Sequence, residues 1–421
     1  MKPTACSETA ISDAEKHPGM TFFSFVLFIA AIMAMNAISI DFMLPALPQI
    51  GQSLGISEAN EVQWVLTSYL LGFGGAQIVY GPLADRFGRK SVLLVGIAIY
   101  AAASLWAMLS TSLEAMMAAR VIQGVGAAAT RVLAITIVRD CYSGPKMARV
   151  MSLVFIVFLA TPILAPSIGQ IVILFVSWHW IFGVLVIYGA LAFIWGWRSL
   201  PETLHPEDRQ PISVRAVGSA LWLTLTTRIA IGYALAVTLL FGGLFAFVNS
   251  AQQIFAETFG AAHLFTTIFA GIAGFMLLSN VVNSRIVERV GPRIVSHTAL
   301  MGFTSFAVLH LVAAVLGFES LWVFTALQGG LMFCFGLLVS NFNALAMGPM
   351  GHIAGTASSV QGFISTTGGA LLGFLVGQQF NGTTLPFGIG LTVFSLLAIG
   401  CVLFAENGRL FGRPPKYQSA D

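Results

Sequence analysis

Twelve apolar runs decide what this chain can fold into. They lie near residues 21–44, 62–81, 91–110, 113–138, 150–172, 176–198, 229–250, 262–283, 294–316, 320–343, 353–377 and 386–405. Each holds roughly the 20 apolar residues that carry a helix across a hydrocarbon core. Charged residues make up 9% of the chain and hydrophobic ones 57%, whereas soluble domains carry about 25% charged residues. The chain therefore reads as a polytopic helical membrane protein, and a globular enzyme with an anchoring tail is excluded.

Charge placement supplies a topology. With the N-terminus in the cytoplasm, every lysine and arginine except Arg120 and Arg131 falls in or beside a cytoplasmic segment. The outer loops hold none, as the positive-inside rule demands. The net charge of +3 is thus a topology signal and implies no nucleic-acid partner. Cys6, Cys141, Cys334 and Cys401 have neither metal-ligand spacing nor placement for an extracellular disulfide. Residues 1–20 are polar, contain Asp13 and Glu15, and lack a signal-peptide pattern. The first run is expected to be a retained signal-anchor helix.

One inner connection is longer than the rest. Residues 199–227 contain Pro201, Glu202, Pro206, Glu207, Asp208, Arg209 and Pro211, which mark a linker. The expected organisation is a cytoplasmic tail 1–20, a six-helix bundle 21–198, a cytoplasmic linker 199–227, a second bundle 228–406 and a cytoplasmic tail 407–421. The halves repeat each other: Asp85-Arg86-Phe87-Gly88-Arg89-Lys90 follows the second run, and Glu288-Arg289-Val290-Gly291-Pro292-Arg293 follows the eighth. A generic basic, glycine-containing loop would look similar, but shared order and topology favour a parallel repeat.

Several residues stand out against the apolar background. In Gly81-Pro82-Leu83-Ala84-Asp85-Arg86-Phe87-Gly88-Arg89-Lys90, Gly81 and Gly88 permit a tight turn or close approach. Asp85 suits a neighbouring helix N-terminus, and Arg89 and Lys90 are available for carboxylates such as Asp140. Together they form a candidate conformational latch. In the fourth run Arg120, Gln123 and Gly124 share a helix face. An arginine there costs about 2.5–3.5 kcal/mol on insertion scales. Eleven residues turn through about 1,100°, so Arg131 points nearly the same way as Arg120, about 16 Å along the axis. That direction is expected to be a water-filled interior; the alternatives are backbone carbonyls or an aromatic contact for Arg120, and snorkelling for Arg131.

Asp41, before Pro45 and Pro48, is the acid lying well inside a run. A carboxyl in a low-dielectric cleft changes charge with its surroundings, as proton coupling requires; the alternative is an acid wetted at the outer mouth. In the fifth run Pro162 and Pro166 are expected to kink the helix, and Gly169 lets a neighbour approach. Amides dominate the second half: Asn249, Asn280, Gln328, Asn341, Asn343 and Gln361. Phe241, Phe245 and Asn249 follow one another at four-residue spacing, with Tyr233 two turns before. Such a stripe suits an amphipathic ligand or, equally, a packing surface. Candidate substrate-binding residues are Asn36, Tyr69, Gln123, Arg131, Tyr233, Phe241, Phe245, Asn249, Gln328, Asn341 and Gln361. His310 and His352 lack partners at metal-ligand spacing, so no metal site is expected. A nucleophile–base set, zinc motif or nucleotide loop is not found in the sequence.

These motifs resemble the major facilitator superfamily. The Gly81–Lys90 decapeptide is similar to its loop 2–3 signature, Arg120-x-x-Gln123-Gly124 to its helix 4 motif, and the Pro162–Gly169 stretch to its antiporter motif, with Ala165 where glycine is usual. The Asp41-x-x-x-Pro45-x-x-Pro48 pattern and Ile137-Val138-Arg139-Asp140 resemble the Bcr/CflA drug-resistance branch. Some related antiporters carry a second carboxylate where this chain has Met33, and relatives often have an arginine at the position of Ile135. The resemblance implies an all-α fold of 12 transmembrane helices in two pseudo-symmetric six-helix bundles. It implies proton-coupled efflux of small, mostly apolar neutral or zwitterionic compounds, with Asp41 and Arg120 coupling protonation to bundle movement. The proton gradient is the energy source, no cofactor is needed, and a functional monomer in the bacterial cytoplasmic membrane is expected. An alternative on the same fold is an organic-anion or metabolite carrier using Arg120 and Arg131 as an anion clamp.

Overall fold

The computed structural model describes residues 20–211 and 214–411, without the side chains of 144, 145, 148, 159, 214, 216 and 351–354. Cys6, most of both tails and the side chain of His352 lie outside the described residues. Among the described residues the chain is helical and contains no strand. The helices are α1 (Phe22–Asp41), α2 (Leu47–Ser53), α3 (Trp64–Phe87), α4 (Arg89–Met108), α5 (Leu113–Cys141), α6 (Gly144–Phe175), α7 (His179–Ser199), α8 (Val214–Thr226), α9 (Arg228–Gln253), α10 (Phe265–Val290), α11 (Pro292–Leu316), α12 (Leu321–Met347), α13 (Ala354–Gly377) and α14 (Leu385–Ala405).

Local chemistry sets several boundaries. The hydroxyls of Thr21, Ser112 and Ser320 accept backbone N–H bonds at the starts of α1, α5 and α12. Gly88 and Gly291 separate α3 from α4 and α10 from α11, with φ of 96° and 89°, a region that disfavours a Cβ. α6 continues through Pro162 and Pro166 as one helix of 32 residues.

Among the described residues, 11 helical spans are long and apolar enough to cross a membrane. The expected crossing over 62–81 falls on α3, which is 24 residues long but outside that set. Thr67, Ser68, Gln77 and glycines 72, 74 and 75 lower its apolarity. α3 tolerates them because it packs on protein on two sides, against α5 and against α13. The molecule is a multi-pass membrane protein.

The packing order repeats. α1 lies on α6, α3 on α5, and α4 on α5 and α7. Correspondingly, α9 lies on α13, α10 on α12, and α11 on α12 and α14. The two sets meet through α3 against α13 and α6 against α10. Residues 199–227 hold more than a connector. They include α8, which buries Ala220 and Thr224 and packs on α9 and α13.

The two sets touch tightly at the end far from the basic loops. There Asn60 Nδ2 donates to the Gln378 and Phe380 carbonyls at 3.1 and 2.9 Å. Gln63 Nε2 donates to Gln253 Oε1 at 2.7 Å and to the Gly377 carbonyl at 3.1 Å. Gln253 Nε2 donates to Asn60 Oδ1 at 2.9 Å, and the Trp64 and Phe374 rings lie 4.1 Å apart. Toward the basic end the sets diverge around a cavity of about 640 Å³.

Candidate functional site

The cavity wall comes from both halves. Gln77, Gly81, Ala84, Asp85, Arg89, Arg131, Val132, Ile135, Thr136 and Arg139 line one side. Phe241, Val339, Asn343, Met347 and the α13 positions from Gly355 to Thr366 line the other. Gln361 Nε2 donates to Asn343 Oδ1 at 2.8 Å, and Gln77 Nε2 donates across the halves to Thr366 Oγ1 at 3.3 Å. Only Gln361 of the α13 wall is among the candidates read from the sequence; the signal that could have found the rest is Ser358, Ser359, Gly362, Ser365 and Thr366 recurring at helical spacing within an apolar run. A second hollow of about 380 Å³, beside Ile171, Phe175 and Trp180, is lined only by apolar side chains on the outside of the bundle. It offers no directional group for a ligand.

Of the expected substrate-binding residues, Arg131, Phe241 and Gln361 line this cavity. The others are elsewhere, for identifiable reasons. Arg120 is fully buried, and each of its three side-chain nitrogens donates to protein: Nε to the Val65 carbonyl at 3.0 Å, Nη2 to the Ser39 carbonyl at 3.0 Å, and Nη1 to Gln123 Oε1. Its guanidinium lies 4.4 Å from the Tyr69 ring centre and 5.8 Å from that of Phe182. Gln123 Nε2 continues the network to Ser104 Oγ at 2.6 Å, and Tyr69 donates to Asn36 Oδ1 at 3.0 Å. Arg120 and Arg131 do follow one helix face. At Arg120 that face is closed by α1 and α3, and only at Arg131 does it meet the cavity. The two arginines therefore form no clamp.

Asp41 is the last residue of α1 and only 6% exposed. It makes no hydrogen bond or ion pair among the described residues. The carbonyl that Arg120 holds belongs to Ser39, two residues earlier. On the other side, a Cβ at Gly169 would collide with the Phe42 carbonyl, so α6 presses directly on the end of α1.

The basic-end network gathers most of the expected latch. Arg89 Nη1 meets Asp85 Oδ1 at 2.6 Å, and Arg89 Nε meets Asp140 Oδ2 at 3.1 Å. Lys90 Nζ donates to the Trp197 carbonyl at 2.9 Å, while Arg86 is exposed. The carboxylate at the α4 N-terminus is not Asp85 but Glu202, which accepts from the backbone N–H of Arg89 at 2.7 Å and of Lys90 at 3.3 Å. Asp85 is drawn to the Arg89 guanidinium instead. Glu202 lies in the segment read as a linker, and its place beside Gly88 is a tertiary fact that no local spacing shows. The second half has a counterpart: Arg293 Nε meets Glu406 Oε1 at 2.7 Å.

Tyr233 belongs to that counterpart and not to the aromatic stripe. It is buried, donates to Glu406 Oε1 at 2.7 Å and lies 3.0 Å from His297 Nε2. Phe241 and Phe245 do contact each other, with ring centres 5.5 Å apart. Phe245 packs against Gly373, however, and both amide atoms of Asn249 are buried without a hydrogen-bond partner among the described residues, as are those of Gln328. Asn341 is engaged with Asn283 Oδ1 at 2.7 Å. His310 does have an acidic neighbour, Glu319, at 2.6 Å. Among the described residues no group of three or more histidine, cysteine or acidic side chains could hold a metal.

Comparison with known proteins agrees with this architecture. The chain matches the family model described as Major Facilitator Superfamily over residues 27–374. It is 32% identical over 370 residues to a bicyclomycin resistance protein homolog of Haemophilus influenzae, covering 86% of this chain and 91% of the relative. It is 30% identical over 363 residues to a chloramphenicol resistance protein of Pseudomonas aeruginosa, covering 83% and 81%. Among solved structures, a D-xylose–proton symporter superposes with a TM-score of 0.72 at 13% identity, over 93% of this chain and 100% of that one, which shows the shared fold. A helical multi-pass chain with two repeating sets of helices around a central cavity, and with these relatives, is a transporter and not an enzyme; it belongs to the Major Facilitator Superfamily.

Proposed function

We propose that this transporter exports small drug-like compounds in exchange for protons by alternating access. Segments 21–198 and 228–406 are the two moving bodies, and the cavity between them holds the cargo. By the positive-inside rule the basic end and both termini face the bacterial cytoplasm, so the structure corresponds to an inward-facing state. The protein works as a monomer and draws energy from the proton gradient.

The observation that carries the reading is the pairing of a cavity sealed at one end with a buried, unpartnered carboxyl near that seal. Asp41 sits at the outer end of α1, against α6 and two residues from the carbonyl held by Arg120. A proton arriving there changes the charge of α1 exactly where α1, α5 and α6 meet. The cavity wall mixes amides and hydroxyls with Phe241 and aliphatic side chains, as small, largely apolar cargo with a few polar groups requires. The relatives named for bicyclomycin and chloramphenicol resistance support the same class of cargo.

The test is proton release from purified protein in detergent on adding chloramphenicol, bicyclomycin, a quaternary ammonium compound or a dye. Release by at least one compound, abolished in Asp41→Asn, supports exchange through Asp41. Saturable binding with no proton release by any compound overturns the antiport reading.

A further inference from the structure

We infer that the preferred cargo carries a carboxylate or an equivalent anionic group, and that Arg131 receives it. The inference rests on the cavity being the cargo site. The charged side chains lining the cavity are Asp85, Arg89, Arg131 and Arg139. Asp85 and Arg89 are already paired, with Asp140 on the far side of Arg89. Arg131 and Arg139 make no hydrogen bond or ion pair among the described residues. Among the described residues, the lining from α9, α12 and α13 contributes no charged side chain. The cavity therefore has two cations without a protein partner among the described residues, against one lining carboxylate, Asp85, which shares the Arg89 guanidinium with Asp140.

The two arginines are not equivalent. Arg139 is exposed, and its guanidinium reaches across the mouth to Gly355 of the opposite half. Arg131 lies two turns deeper, within the apolar run. A guanidinium at that depth is costly unless a partner satisfies it, and its planar fork of donors matches a carboxylate. The opposite wall carries Asn343, whose Oδ1 accepts from Gln361 while its Nδ2 makes no hydrogen bond among the described residues. Phe241 supplies apolar surface in the same cavity. An aryl or alkyl acid, or the acid end of a zwitterion, fits this set of groups. A lipophilic cation meets two unpaired like charges and only the Asp85 carboxylate, already held by Arg89, and is disfavoured. Arg120 takes no part, since all its nitrogens are engaged.

The test compares three matched probes, 4-phenylbutyrate, 4-phenylbutyramide and 4-phenylbutyltrimethylammonium, by isothermal titration to purified protein in detergent at low salt. The acid is expected to bind at least tenfold more tightly than the amide, and the ammonium most weakly. In Arg131→Gln the acid and amide are expected to bind alike, while Arg131→Lys restores part of the preference. Equal binding of acid and amide by the unaltered protein, or a preference for the ammonium, overturns the inference without any variant. So does an acid preference that survives Arg131→Gln. Proton release by chloramphenicol without acid preference would sink this inference and leave antiport standing; acid preference without any proton release would do the reverse.

Discussion

Arg120 and Asp41 sit close in the fold and answer to opposite physics. Arg120 holds two backbone carbonyls and the Gln123 side chain, all buried. Its removal strands acceptors at about 1–3 kcal/mol each and opens a void beneath the Tyr69 and Phe182 rings. Arg120→Ala is therefore expected to lower the thermal unfolding temperature in detergent markedly. Arg120→Lys should recover only part, because one ammonium cannot span Val65, Ser39 and Gln123. Asp41 holds nothing, so Asp41→Asn should unfold at nearly the same temperature as the unaltered protein while losing proton release. A large drop in unfolding temperature for Asp41→Asn would make that residue structural. The cost of an intramembrane arginine singled out both Arg120 and Arg131 from sequence, and helical spacing put them on one face correctly. What that face meets at each level depends on α1 and α3, and spacing within α5 carries no information about them.

At the scale of elements, close crossings are made by glycines whose neighbours are backbone. A Cβ at Gly124 would collide with the Tyr69 carbonyl, and one at Gly72 with the Val121 carbonyl, so α3 and α5 interlock reciprocally. Gly75, one turn from Gly72, has nothing within 4 Å of its would-be Cβ. Gly124→Ala is expected to destabilise by about 1–3 kcal/mol through overpacking. Gly75→Ala should be neutral or slightly stabilising, since alanine is the better helix former by about 1 kcal/mol. Thermal unfolding of the two variants side by side checks this, and equal losses would mean the crossing is not tight. Gly124 and Gly126 cluster with the alanines at 127–129 in one run, a sequence signal for close helix packing. Gly72 lies in a similar cluster, Gly72-Phe73-Gly74-Gly75-Ala76, which marks a closely packed stretch but not which of its glycines makes the crossing. α8 was hidden for a related reason: prolines and charges dominate 199–211, and they mask a short helix over 214–226 with one buried face and an exposed Trp222.

For the whole molecule, the question is what holds the two halves together at the end opposite the cavity. The seal there is built from Asn60, Gln63, Gln253 and Gln378, with Trp64 against Phe374. None of these groups is charged. The fold class, the repeat and the Asp85–Arg89–Asp140 grouping at the basic end were readable from the chain because apolar runs and charges are conspicuous. This seal was not, because its partners are uncharged amides nearly 200 and more than 300 residues apart. An amide seal has two consequences that an ion-pair seal would not share. Its strength should be insensitive to ionic strength, since screening acts on charges. It should also loosen in steps, as each hydrogen bond contributes only about 0.5–1.5 kcal/mol net. Changing both Gln63 and Gln253 to alanine removes four bonds between the halves, which is enough to move a two-state equilibrium by about tenfold or more. Spin labels on the exposed positions Ser57 and Asn381 read the separation of the halves at this end. The double variant is expected to populate a longer label distance than the unaltered protein, with neither distribution changing between low and high salt. If the variant's distances stay put, aromatic packing of Trp64 on Phe374 is what closes this end, and Trp64→Ala should then produce the shift that loss of the amides did not.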